Sequence, residues 1–130
     1  MKHFFLSLSI MLLLYNCSNS QKINIAPLTM LTEIDTLKQN NSHRFDYFMV
    51  DCITNDTAKV KMEIDIYVNR QSDSNRTRYK YYEMLFYKKS ENVNPENILS
   101  YPENLRYKTV LYDEPMRTYT WFDGKLLYVK

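Results

Sequence analysis

Apolar and polar residues alternate strictly through residues 59–68. The apolar positions are Val60, Met62, Ile64, Ile66 and Val68, and charged residues or tyrosine lie between them. A period of two is typical of a β-strand with one buried face and one solvated face. We therefore predict a strand over 59–68.

Five further segments have the aromatic and β-branched content of strands. They cover residues 45–54, 76–89, 107–112, 117–122 and 125–129. In 76–89 the alternation changes parity at Tyr81-Tyr82, which predicts either a β-bulge there or a second half that is covered on both faces. The polar residues 69–75 predict a loop that closes a hairpin, and Asp123-Gly124 predicts a type I′ hairpin turn.

Two segments have helical signals. Leu28, Leu31, Ile34 and Leu37 recur every three residues, which predicts an amphipathic helix over roughly 28–39. Asn94-Pro95-Glu96 places an N-cap residue before a proline at the first helical position, which predicts a short helical turn. We therefore expect an α+β fold, an antiparallel meander of about six strands with one N-terminal helix and a short helical turn. A small closed β-barrel is the alternative.

The first seventeen residues have the composition of an export signal. Lys2 precedes an apolar run from Phe4 to Tyr15, which is too short to cross a bilayer as a helix, and Asn16-Cys17 follows. This segment resembles the signal peptide of bacterial lipoproteins, although Asn16 occupies the position where that pattern prefers a small residue. The resemblance implies that Cys17 becomes the lipidated first residue of the mature chain. Cleavage after Ser20, which would give a secreted soluble protein, is the alternative.

This interpretation divides the chain into three parts. Residues 1–16 are the signal peptide, 17–25 a flexible tether and 26–130 a single globular domain. We expect an exported protein of the bacterial cell envelope, anchored in a membrane through Cys17 and facing the periplasm or the outer surface.

Composition argues against several classes of function. The chain carries 17 Lys and Arg against 15 Asp and Glu, a balance that does not favour nucleic acid as a partner. Its single glycine, Gly124, rules out a glycine-rich phosphate loop. His43 and Cys52 are the only histidine and cysteine beyond Cys17, too few for a zinc site of the usual kind or a convincing nucleophile–base pair. We predict no enzyme activity, no metal and no cofactor.

Arginine and tyrosine are concentrated around the predicted strand 76–89. These residue types are enriched in protein-binding hot spots. The candidate binding surface consists of Tyr67, Arg76, Arg78, Tyr79, Lys80, Tyr81 and Tyr82. An ordinary exposed sheet face with cross-strand aromatic and cationic pairs would show the same pattern.

These features predict a lipid-anchored protein of the cell envelope that binds another protein, in an inhibitory, immunity or accessory role. The alternative is binding of a small ligand or glycan in a sheet-lined cavity.

Overall fold

A mixed β-sheet of six strands forms the frame of the molecule. The computed structural model describes residues 22–35 and 42–130. The strands lie in the order β1-β3-β4-β5-β6, and β2 also pairs with β3. β3 and β4 are parallel, whereas the other neighbouring strands are antiparallel. The strands are β1 (Asn24–Pro27), β2 (Glu33–Asp35), β3 (His43–Asp51), β4 (Tyr81–Lys88), β5 (Arg117–Phe122) and β6 (Lys125–Val129).

Helices fill the connections between these strands. The α-helices are α1 (Thr57–Arg70), α2 (Ser74–Arg78), α3 (Pro95–Ser100) and α4 (Arg106–Val110), and two 3₁₀ turns span Thr29–Leu31 and Glu103–Leu105. The α+β class is therefore confirmed. The meander holds only for β4, β5 and β6, and the sheet is open, so the closed-barrel alternative is wrong.

The predicted strand 59–68 is wrong, because these residues belong to α1. The Asp56 carboxylate caps the helix by accepting a hydrogen bond from the Lys59 amide at 3.0 Å. Val60, Ile64 and Val68, spaced by four residues, are buried, whereas Met62 and Ile66 are 54% and 36% exposed. Every second apolar residue of an alternating pattern is four positions from the next. The same sequence can therefore form a helix with a narrow apolar stripe.

The predicted hairpin at 69–75 is replaced by a crossover. Parallel strands cannot be joined by a tight turn, and α1 with α2 provides the long connection between β3 and β4. Residues 74–78 are helical, so the predicted strand 76–89 begins only at Tyr81. β4 pairs in continuous register with both neighbours, so the bulge at Tyr81-Tyr82 is wrong. The parity change marks the passage from helix to strand.

The central strands β3 and β4 are covered on both faces, as the alternative interpretation of strand 76–89 required. The first core packs α1 against alternate residues of β3, β4 and β5. Its sheet residues are Phe48, Val50, Tyr82, Met84, Phe86, Tyr119 and Trp121. The second core lies on the opposite face and joins the 3₁₀ turn Thr29–Leu31, α3 and α4 to β3 and β4. It contains Leu28, Leu31, Tyr47, Met49, Tyr87, Val93, Ile98 and Val110.

Two further predictions are wrong. The predicted helix 28–39 is a 3₁₀ turn followed by β2, and its last residues, 36–39, lie outside the described part. Leu28 and Leu31 are nevertheless buried, in the second core. The predicted strand 107–112 is mostly α4, which buries Val110 in the same core. In both segments tertiary packing overrides local preference.

The C-terminal hairpin is confirmed. Asp123 and Gly124 have φ angles of 47° and 75°, as a type I′ turn requires. β5 and β6 follow the predicted bounds, and β6 carries a register irregularity opposite Thr120 and Trp121. β3 confirms the strand predicted over 45–54, and α3 begins after the Asn94 cap, as predicted.

The signal peptide and Cys17 lie outside the described residues. β1 includes Asn24 and Ile25, the last two residues of the predicted tether. In the part of the chain that the structure describes, the helices are too short or too polar to cross a bilayer.

Candidate binding surface

Three tyrosines of the predicted surface are structural residues. Tyr79 and Tyr82 are only 8% and 4% exposed and belong to the first core. Tyr67, on α1, is half-buried and its ring meets Phe48 and Phe86 edge-on, with centroids 5.6 and 6.1 Å away. The prediction that these three tyrosines form an exposed face is therefore wrong. Tyr67 lies on a helix that packs on the sheet, and Tyr79 and Tyr82 point into the core beneath that helix.

Arg76 also has a structural position. Its guanidinium lies 4.7 Å from the centroid of the Trp121 ring. One terminal nitrogen donates to the Asp73 carboxylate at 2.7 Å and the other to the Val68 carbonyl at 2.6 Å. Arg76 thereby joins α2, the end of α1 and β5, and its side chain has little surface left for a partner.

A buried carboxylate organises the end of the first core next to these residues. The two carboxylate oxygens of Asp46 on β3 share the Nε–H of Arg44, at 2.9 and 3.1 Å. Asp46 also accepts the Tyr82 hydroxyl hydrogen bond at 2.7 Å. Burial, followed by this hydrogen bond to Asp46, raises the pKa of Tyr82 well above its usual range. Asp46 and Tyr82 therefore serve the architecture of the fold.

A second carboxylate joins α1 to β5. Asp65 accepts hydrogen bonds from the Arg117 guanidinium at 3.1 and 3.2 Å and from the Tyr119 hydroxyl. Burial and the hydrogen bond to Asp65 raise the pKa of Tyr119 to about 12. These contacts fix the helix over the sheet.

The other three predicted residues remain accessible. Arg78 is exposed, and Lys80 and Tyr81 are half-exposed. The Tyr81 ring lies between His43 on β3 and Phe122 on β5, with centroid distances of 4.7 and 4.8 Å. The Lys80 ammonium lies 5.6 Å from the centroid of the Phe122 ring. These three residues of the predicted surface therefore form an accessible basic and aromatic rim beside the hairpin turn.

The strongest exposed feature of the sheet is β6, which lies outside the predicted binding surface. All five of its residues are exposed, and four of them are apolar: Leu126, Leu127, Tyr128 and Val129. Leu127 alone is 61% exposed. The sequence signal was a run of four apolar residues without alternation, since a strand with one solvated face would alternate.

The two edges of the sheet differ. On one edge, Pro27 and the 3₁₀ turn Thr29–Leu31 separate β1 from β2, and such interruptions protect an edge from pairing with other chains. On the other edge, β6 contains no proline or charge between Lys125 and Lys130. Among the described strands, β6 is therefore the open edge of the sheet.

The backbone of β6 is arranged for another strand. The amide and the carbonyl of Lys130 both bond to Thr118 at 3.0 Å. Because these directions alternate along an antiparallel strand, the amide and carbonyl of Val129 point away from β5. An added strand could bond to these outward groups while its side chains contact the exposed apolar residues.

Charge indicates the kind of strand that fits. Lys125 is the first residue of β6, and Lys130 follows its last residue. Lys80 lies beside the hairpin turn, because its carbonyl accepts a hydrogen bond from the Asp123 amide at 2.9 Å. Asp123 is the one acid of the hairpin turn. A second copy of this chain would bring an equally basic rim, whereas an apolar strand with flanking acids would be complementary.

The depressions on the described surface lie at or below the lower end of the volumes of ligand pockets. One of about 200 Å³ between α3 and α4 is lined mainly by Tyr101, Leu105, Lys108 and Tyr112. Another, of about 330 Å³, lies between β1 and α1. Ligand pockets usually hold roughly 300 to 1,000 Å³ and enclose most of the ligand. Among the described residues no group of three His, Cys, Asp or Glu could hold a metal ion.

Comparisons with family models, curated proteins and solved structures found no match to this chain.

Proposed function

We propose that this chain is an exported, lipid-anchored protein of the bacterial cell envelope that binds another protein through β6. The leader and Cys17 support the location, because a basic start, a short apolar run and a following cysteine resemble a lipoprotein signal. The exposed apolar edge strand supports the mode of binding. An inhibitor, an immunity protein and an accessory subunit of an envelope assembly would all use such a surface.

The observation that carries the proposal is the combination of four exposed apolar side chains and outward backbone groups on one strand. Exposed apolar edges are aggregation hazards, and natural proteins usually interrupt or charge them. In this chain Pro27 and a 3₁₀ turn interrupt the other edge, whereas β6 has no such interruption. A partner strand would cover the exposed apolar area and bond to the backbone groups that point away from β5.

Substitution of Leu127 tests this surface. We expect Leu127→Asp to reduce capture of the envelope partner by about tenfold or more, because it places a charge in the apolar contact. The measurement is affinity purification of the full chain from native envelopes with quantitative mass spectrometry.

Met62→Asp is the matched control. Met62 has a similar exposure, 54%, but lies on the outer face of α1, so its substitution should leave capture unchanged. Both variants should keep the wild-type thermal unfolding midpoint. Equal capture by both variants would show that β6 is not the binding surface.

A further inference from the structure

One end of the sheet lies close to the proposed anchor. The chain enters β1 at Asn24, which pairs with Asp51 at the end of β3. β4 ends beside it, because Val50 pairs with Lys88. The strand ends and loops at this position form a single surface, which we call the entry end.

The entry end carries the most exposed large apolar side chains among the described residues. Ile53 is 84% exposed and Tyr112 82%, and the adjacent Leu111 is 65% exposed. Ile53 shares a depression with Lys22 and Asn24, and Tyr112 shares another with Lys88 and Lys89. An ion pair of 2.7 Å between Lys89 and Asp51 connects the two. Apolar residues from two separate segments therefore project at the same end.

The polar groups around these side chains suit a lipid headgroup region. Asp51 is paired with Lys89, and Asp113 accepts hydrogen bonds from Ser90 and Asn92 at 2.5 and 3.4 Å. Lys22 and Lys88 are exposed, as is Glu114. Lysine side chains can extend their charge toward headgroups while their stems lie along apolar surface, and tyrosine favours the membrane interface.

The length of the intervening chain limits the distance to the membrane. Cys17 precedes Lys22 by five residues. A fully extended chain spans at most about 3.6 Å per residue, so Lys22 can lie no more than about 18 Å from a lipidated Cys17. This length keeps the entry end next to the bilayer, whereas the far end of β3 lies about 27 Å further along the strand.

We propose that the entry end rests on the lipid bilayer, with the side chains of Ile53 and Tyr112 inserted in the interface. This inference rests on the proposed lipidation of Cys17. It places the turn Asp123-Gly124 at the far end of the sheet, and β6 runs from that turn back toward the membrane along one side of the sheet. The partner strand would then lie beside β6, roughly upright on the bilayer.

Fluorescent labels on the lipidated full chain in phosphatidylcholine vesicles test this orientation. One variant carries Tyr112→Cys and a matched control carries Met62→Cys, both with Cys52→Ser so that a single thiol takes the label. Nitroxide groups on the acyl chains of the lipid quench a label that enters the interface. We expect quenching at position 112 to exceed that at position 62 by about threefold or more, with a blue-shifted emission only at 112.

Three measurements separate the possible outcomes. Mass spectrometry of the vesicle-bound protein establishes whether Cys17 carries lipid, and circular dichroism establishes that both variants fold. Equal quenching at the two positions on lipidated protein would overturn the orientation while leaving the anchor intact. An unmodified Cys17 in protein from the producing cells would overturn the anchor, and the orientation with it.

Discussion

At the scale of single residues, buried tyrosine hydroxyls on acceptor carboxylates stabilise the first core. Tyr119 donates to Asp65 and Tyr82 donates to Asp46. In each pair the neutral phenol is the form that the fold favours, since both burial and the hydrogen bond to the carboxylate raise the tyrosine pKa. Each pair also connects distant segments, α1 with β5 and β3 with β4.

Alkaline pH should therefore destabilise the protein. The pKa of Tyr119 is raised from 10.0 to about 12, so the stabilisation is fully present below pH 10 and is lost as the pH rises toward 12. We expect the free energy of unfolding to fall by about 2 kcal/mol or more over this window, because the unfolded tyrosine ionises first. Urea unfolding at a series of pH values measures this change.

Tyr119→Phe is the control for this pH dependence. The variant lacks the ionising hydroxyl and should lose part of the alkaline fall while keeping the fold. A stability profile that is flat between pH 9 and 12 in the wild type would contradict the assignment.

At the scale of elements, α1 decides the topology, because a helix over residues 57–70 joins β3 to a parallel β4. Ile64 is fully buried against the sheet, whereas Met62 faces solvent. Ile64→Ala should cost about 2–5 kcal/mol of unfolding free energy, and Met62→Ala about 0.5 kcal/mol or less. Chemical denaturation of both variants measures the difference.

A strand over the same residues would give another result. Ile64 and Met62 would then lie on the same buried face, and both substitutions would be costly. Similar losses for the two variants would therefore contradict α1.

Local signals predicted the elements whose conformation depends on neighbouring residues. The Asp123-Gly124 turn needs positive φ, and Asn94 before Pro95 caps α3, so both could be found from sequence. Residues 59–68 could not be assigned in this way, since their spacing fits one face of a strand and also a four-residue helical stripe. The choice depends on the parallel pairing of β3 and β4, a long-range contact that no local pattern records.

Only some of the accessible surface residues could be predicted from the sequence, because the others depend on long-range strand pairing. Tyr81, Lys80 and Arg78 are accessible, but Tyr79 and Tyr82 turn into the core because β4 begins two residues after Tyr79. The open edge at β6 depends on strand order, which places β6 at the end of the sheet. Its apolar run was visible in the sequence, whereas its edge position was not.

At the scale of the whole molecule, the two edges and the two ends of the sheet have different roles in this account. The interrupted edge at β1 and β2 is protected, and β6 is available to a partner. The entry end carries Ile53 and Tyr112 close to the proposed anchor, and the hairpin turn lies at the opposite end. A tethered protein arranged in this way would hold β6 at the side of the sheet, running from the distal hairpin turn back toward the membrane.

The mass of the protein in the membrane fraction of producing cells tests the central claim of export and lipid anchoring most directly. The account predicts a chain that begins at Cys17 and carries acyl chains on that residue, and it predicts that Cys17→Ala is absent from the membrane fraction. An untrimmed, unmodified chain that begins at Met1 and is found in the cytosolic fraction would contradict it.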